Sequence, residues 1–197
     1  MTYGTRLKLM LLPMLAGALL ATGCAKKEEV RYGEAKSVET VTNQFGSTDL
    51  QTLAESMTRS LLTSEIVSTG TRPIVTVQEV KNKTSEYIDT RAITDSIRSE
   101  LQKSGRVRFA VDAAAMQQQV DELHRQQSEL YKQDQAVRTG KMLGAAYRLE
   151  GNIVSIVKQN QDIKDVYYKL NMQLWNIEDG LLEWSDEKEI RKTSTKG

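Results

Sequence analysis

The stretch Ile74–Asp112, IVTVQEVKNKTSEYIDTRAITDSIRSELQKSGRVRFAVD, decides the architecture. Its opening run, Ile74-Val75-Thr76-Val77-Gln78-Glu79-Val80, is rich in β-branched residues and reads as a strand that becomes half-exposed toward its end. Lys81-Asn82-Lys83-Thr84-Ser85 then reads as a polar loop. A helix follows from Asp89 or Thr90 to Lys103, because Ile93, Ile97 and Leu101 fall on one helical stripe. Gly105 stands where a left-handed C-cap is wanted. Val107, Phe109 and Val111 alternate with polar or small residues as a second strand.

Upstream, Leu50, Leu53, Ala54, Met57, Leu61 and Leu62 share one face of a helix over Thr48–Leu62. Thr48 with Gln51 gives it a capping-box start, and Asp49 suits its first turn. Gly70 and Pro73 separate this helix from the strand. Downstream, Asp112 is placed to cap a third helix bearing Met116, Val120 and Leu123, which runs out in an exposed connection over His124–Gln133. A short helix is expected over Asp134–Leu143, stopped by Gly144. Tyr147–Val157 reads as a strand. In Val166–Ile177, Tyr168, Leu170, Met172 and Leu174 point one way, while Lys169, Asn171 and Gln173 point the other. Asp179-Gly180 signals a turn, Leu181–Trp184 begins a return strand, and the charged tail from Glu187 is expected to fray. Strands separated by helices, then an antiparallel meander, give an α/β (α+β) fold: a small mixed sheet flanked by helices.

Composition narrows the function classes. The 197 residues are 39% hydrophobic and 27% charged with a formal net charge of +1, which suits a globular domain and gives no basic surface for nucleic acid. One Cys and one His make neither a disulfide framework nor a zinc site. His124 lies on a polar stretch and Cys24 near the N-terminus, so no nucleophile with a base is expected. Lys83-Thr84-Ser85 lacks the glycines of a phosphate loop. The Gly140–Gly144 stretch follows a helix rather than a strand, so it is no nucleotide fingerprint. Trp175 and Trp184 are either a binding platform or packing residues of the terminal hairpin. The reading is therefore non-enzymatic, with no cofactor, no metal and no small-molecule substrate.

The N-terminus is a separate matter. Arg6 and Lys8 precede an apolar run, Leu9–Ala21, and no acid occurs before Glu28. As a helix that run measures about 20 Å, short of a hydrocarbon core of about 30 Å, so it has the length of a signal-peptide core. Leu20-Ala21-Thr22-Gly23-Cys24 resembles the bacterial lipobox, which implies cleavage before Cys24 and lipid on that cysteine. Ala25, not Asp, follows it, which in bacterial lipoproteins implies the outer membrane, facing the periplasm. The expected organisation is signal peptide 1–23, lipidated flexible tether 24–44 and globular domain 45–197. Such a tether has a flexible span of about 25 Å and an extended limit of about 66 Å.

Read in order, the globular residues resemble the LpoB family of outer-membrane lipoproteins. The likeness rests on Val75–Thr84, on Ala92–Phe109, and on Gly144-Ala145-Ala146-Tyr147 with Leu170–Leu174 and Gly180–Ser185. The resemblance implies a fold similar to the N-terminal domain of TolB. It also implies a non-enzymatic activator whose partner is the regulatory domain of a class A penicillin-binding protein. The alternative is a structural or secretion lipoprotein of the curli-assembly type. For the docking surface the expected residues are Asn82, Lys83, Thr84 and Tyr87, in a polar loop with an aromatic anchor. Against this stands the reading that Asn82 and Thr84 only make turn hydrogen bonds.

Overall fold

The structure, a computed structural model, describes residues 31–39 and 41–196. The signal-peptide reading and Cys24 lie outside the described residues. Four helices and six strands follow in order: α1 (Ser47–Thr63), α2 (Glu65–Ser68), β1 (Ile74–Val77), β2 (Lys81–Lys83), α3 (Thr90–Lys103), β3 (Arg108–Phe109), α4 (Ala113–Gln126), β4 (Tyr147–Gln159), β5 (Ile163–Asn176) and β6 (Leu182–Thr195). The sheet runs β3-β1-β4-β5-β6, with β2 also on β4. β1 is parallel to both β3 and β4, while β4, β5 and β6 form an antiparallel meander. The α+β class and mixed sheet expected from the sequence are what the chain adopts.

β1 and β2 lie in succession along one edge of β4, Val75 opposite Tyr147 and Asn82 opposite Ile153. The expected strand thus breaks after Val77 and resumes within what reads as loop. Over the break, Val80 donates its N–H to Thr94 Oγ1 at 3.0 Å, and Gln78 N bonds Leu149 O. A side chain of α3 here replaces a ladder partner, and Lys81–Lys83 can rejoin β4 because that strand extends 13 residues.

The core lies between one face of the sheet and the α1–α3 pair. Leu53, Met57 and Leu61 of α1 and Ile93, Ile97 and Leu101 of α3 meet Leu149, Ile153, Val166, Tyr168, Leu170, Met172 and Leu174. The inward stripes read from the sequence are the buried ones. α3 is capped by Asp89, whose Oδ1 accepts from Arg91 N and Ala92 N, and stops at Gly105 with φ 67°, a conformation that favours glycine.

Four local expectations fail, each for a physical reason. α1 begins two residues earlier than a Thr48 cap requires: Gly46 is the N-cap and Asp49 Oδ2 accepts from Gly46 N at 2.9 Å. Thr48 and Gln51 instead bond the preceding segment, through Glu39 N and Ala35 O. The second strand shrinks to Arg108–Phe109 because β1, its neighbour, is itself only four residues long. No helix forms over Asp134–Leu143, where Val137, Met142 and Leu143 stay exposed; a short helix without a buried face is marginal in water. The tail does not fray. β6 pairs with β5 from Leu182 to Thr195, and Lys169–Glu187 at 3.1 Å and Thr193–Asp165 at 2.9 Å tie it across.

The segment Glu34–Gly46 runs without regular structure against the domain. Asn43 Nδ2 reaches Lys164 O and Ser194 Oγ, and Lys192 Nζ bonds Gln44 O at 2.7 Å. Phe45 meets the Tyr168 ring edge-on at 5.6 Å.

Candidate functional site

Lys81–Asp89 joins an edge strand to the N-terminus of α3. Its tip is closed by its own side chains. Asn82 Oδ1 accepts from Thr84 N at 2.9 Å, the Thr84 hydroxyl lies 2.7 Å from the same oxygen, and Asn82 Nδ2 donates to Glu86 O at 3.0 Å. Asn and Thr suit such a turn because their short side chains mimic a backbone partner. Asn82 and Thr84 therefore hold the shape of the loop.

Lys83 and Tyr87 are displayed by that shape. Lys83 is exposed, and its side chain makes no hydrogen bond or ion pair among the described residues. Tyr87 is 92% exposed, although the residues on either side of it are fixed inward. Ile88 is 5% exposed in the core, and the Glu86 carboxylate accepts a hydrogen bond from the Tyr168 hydroxyl of β5. The two anchored neighbours thus leave the Tyr87 ring displayed to solvent.

Sequence reasoning missed Glu86 and Tyr168. Tyr168 lies on the inward stripe of β5 and its ring is buried. Burial first, and the hydrogen bond to Glu86 second, push its phenol well above the ordinary tyrosine value. It stays protonated and donates. Asn43 O lies 3.3 Å from the same hydroxyl, so the N-terminal segment, the sheet and the loop meet at one atom. The available signal was a hydroxyl on an otherwise apolar stripe, which needs a partner when buried.

The other candidates separate clearly. Trp184 packs against the core and lies 3.3 Å through Nε1 from Ser60 Oγ, as a packing residue does. Trp175 pairs with Arg148 on the opposite face of the sheet, and its buried Nε1 has no partner among the described residues. His124 lies exposed in the last turn of α4. Among the described residues no group of three or more His, Cys, Asp or Glu side chains is placed to hold a metal ion. Nor is any described helix long and apolar enough to cross a membrane.

Comparison with known proteins agrees with the resemblance read from the sequence. The family model described as peptidoglycan-synthase activator LpoB matches residues 49–190. Among solved structures, the LpoB C-terminal domain from Escherichia coli is 20% identical with a TM-score of 0.46, covering 72% of this chain and 98% of that one. The same domain from Salmonella enterica is 18% identical with a TM-score of 0.45 and the same coverage. The NMR structure of E. coli LpoB is 15% identical with a TM-score of 0.42, covering 99% of this chain and 96% of that one. No curated protein sequence matches.

Proposed function

The chain belongs to the LpoB family of peptidoglycan-synthase activators, and on that premise we propose that it activates a class A penicillin-binding protein by docking on its regulatory domain. The observation that supports the reading most is the family match over residues 49–190, which contains the whole Lys81–Asp89 loop. Lys83 and Tyr87 form the contact, while Asn82 and Thr84 keep them in place. Activation requires that the domain bind the active conformation of the synthase more tightly than the inactive one; equal affinity for both shifts nothing. The chain itself supplies no catalytic group. Lipid on Cys24 holds it at the outer membrane facing the periplasm, and residues 24–44 lead from the lipid to the domain.

Capture from crosslinked cells tests the reading, since a cell-wall synthase and a secretion apparatus are distinct catches. A bifunctional synthase is expected. Lys83→Glu and Tyr87→Ala are expected to weaken its capture and activation with the melting temperature nearly unchanged. If Lys83→Glu binds as tightly as the unaltered chain, or Tyr87→Ala loses binding only by unfolding, the docking face lies elsewhere.

A further inference from the structure

β6 closes one end of the sheet, and among the described residues no strand lies beyond it. It is 14 residues long. Its outer backbone groups therefore form an unpaired row that a further strand can join. Proteins usually blunt such an edge with scattered charge, and β6 is heavily charged. Its charges, however, are sorted by sign. Glu183, Asp186 and Glu187 come first with no base among them, and Lys188, Arg191 and Lys192 follow with the single acid Glu189 between them. A sorted strand repels a parallel copy of itself and attracts an antiparallel one.

We propose that β6 is a self-association edge, where two copies of this chain pair antiparallel about a two-fold axis at Glu189. This axis pairs the whole strand, from Glu183 to Thr195. On the sheet face away from α1 and α3, Glu187 of one copy stands opposite Arg191 of the other, twice by symmetry. Both side chains are exposed. On the helix side Asp186 faces Lys192, whose Nζ is already 2.9 Å from Asp49 Oδ2 of its own chain. Glu187 and Arg191 also have partners in their own chain, Lys169 at 3.1 Å and Asp165 at 3.7 Å, so each new pair extends a cross-sheet row whose signs alternate, Lys169–Glu187–Arg191–Asp165. The two Glu189 carboxylates meet at the axis. Each already accepts a hydrogen bond from its own Tyr167 hydroxyl, and each lies diagonal to Arg191 of the other copy.

Neighbouring registers are worse. A slide of two residues one way sets Lys188 against itself and Glu187 against Glu189; a slide the other way sets Lys188 against Lys192 twice, which offsets the two Glu189–Arg191 pairs it forms and gives up both the Glu187–Arg191 and the Asp186–Lys192 pairs. The opposite edge of the sheet, β3, is two residues long, so the pairing consumes the one long edge among the described residues and closes at two copies rather than growing into a fibre. The contact is electrostatic and salt-sensitive, in keeping with exposed ion pairs.

The test uses the full chain in detergent under a mild oxidant, with Cys24 left in place and the unsubstituted chain as background. In Glu189→Cys the two new thiols lie across the axis with Cβ atoms about 5 Å apart, and a disulfide-linked dimer is expected on a non-reducing gel. Lys188→Cys, one residue away and opposite Ile190, is expected to stay at background. Adding Glu187→Arg to Glu189→Cys sets like charges opposite each other and is expected to lower crosslinking about tenfold. Adding Arg191→Glu as well restores the opposite pair and is expected to restore the dimer. Sedimentation of the chain without new cysteines is expected to show a dimer that dissociates as salt rises. The inference is overturned by absence of the Glu189→Cys dimer, by equal crosslinking at 188 and 189, or by a swap that keeps its melting temperature without recovering the dimer.

Discussion

The Tyr168 hydroxyl gives its one proton to the Glu86 carboxylate and lies 3.3 Å from the Asn43 carbonyl. Tyr168→Phe keeps the ring against Phe45 and removes only the oxygen, leaving Glu86 with its partner gone. A loss of about 1 to 3 kcal/mol in urea unfolding is expected, the cost of an unpaired polar group near the core. An unchanged midpoint and slope would show that the loop is held by Ile88 alone. Tyr167, on the other face of β5, has its phenol pushed up to about 12, first by its hydrogen bond to Glu189. The folded value lies above the ordinary one of about 10, so its contribution to stability is complete below that pH and fades as pH rises toward the folded value. Tyr167→Phe is therefore expected to flatten part of the alkaline fall in stability in that window, measured as unfolding free energy against pH. Gly151 sits in β4 where an added Cβ would stand 2.6 Å from the backbone oxygen of Asn171. Gly151→Ala is expected to lower stability by about 1 to 3 kcal/mol, since the neighbouring strand has to move.

At the level of elements, α3 is the most fully specified from its own residues: a cap at Asp89, a stripe at Ile93, Ile97 and Leu101, a glycine stop. Ile97→Ala is expected to cost about 2 to 5 kcal/mol, and Asp89→Ala about 1 kcal/mol, both read from chemical denaturation. β6 is specified the other way, by its neighbour. A chain ending at Glu187 leaves the outer half of β5 unpaired and removes Lys192 from the buried Asp49, which is 4% exposed. Loss of cooperative unfolding is the expected result. Cooperative melting of that truncated chain at the original temperature would mean the C-terminal strand contributes nothing. α4 illustrates a helix that the local pattern specifies although none of its described side chains is fully buried. Asp112 Oδ1 accepts from Ala115 N at 2.8 Å, yet Met116 remains exposed.

For the whole molecule, the stability of the domain comes from one helix pair laid on one face of a sheet, and the loop that displays Tyr87 is a by-product of how β2 hands over to α3. A rigid scaffold with a short, internally bonded loop suits a regulator that has to present contacts without rearranging. The lipid attachment is tested independently of docking. Cys24→Ser is expected to release the chain into the soluble periplasmic fraction or stall its processing; unchanged outer-membrane fractionation with normal maturation would sink that assignment.

By itself the sequence determined α1, α3 and β5 with their inward stripes, and β4 as a strand, because period and cap chemistry act over a few residues and are written in the chain directly. It determined the α+β class through the order of those elements, and a polar connection between a strand and a helix over Lys81–Ser85, of which the first three residues turn out to be β2. Tertiary structure alone decided the break of the first strand, since only Thr94 on α3 supplies the bond that Val80 lacks in the ladder. It alone turned the charged tail into β6, because a strand so rich in charge gains its partners from β5, the preceding strand, and has no apolar run of its own to announce it. It alone joined Asn43, Glu86 and Tyr168, three residues from separate segments whose attraction exists only once the core has brought them together. Local pattern fixes what an element is; long-range pairing fixes whether it has anything to be stable against.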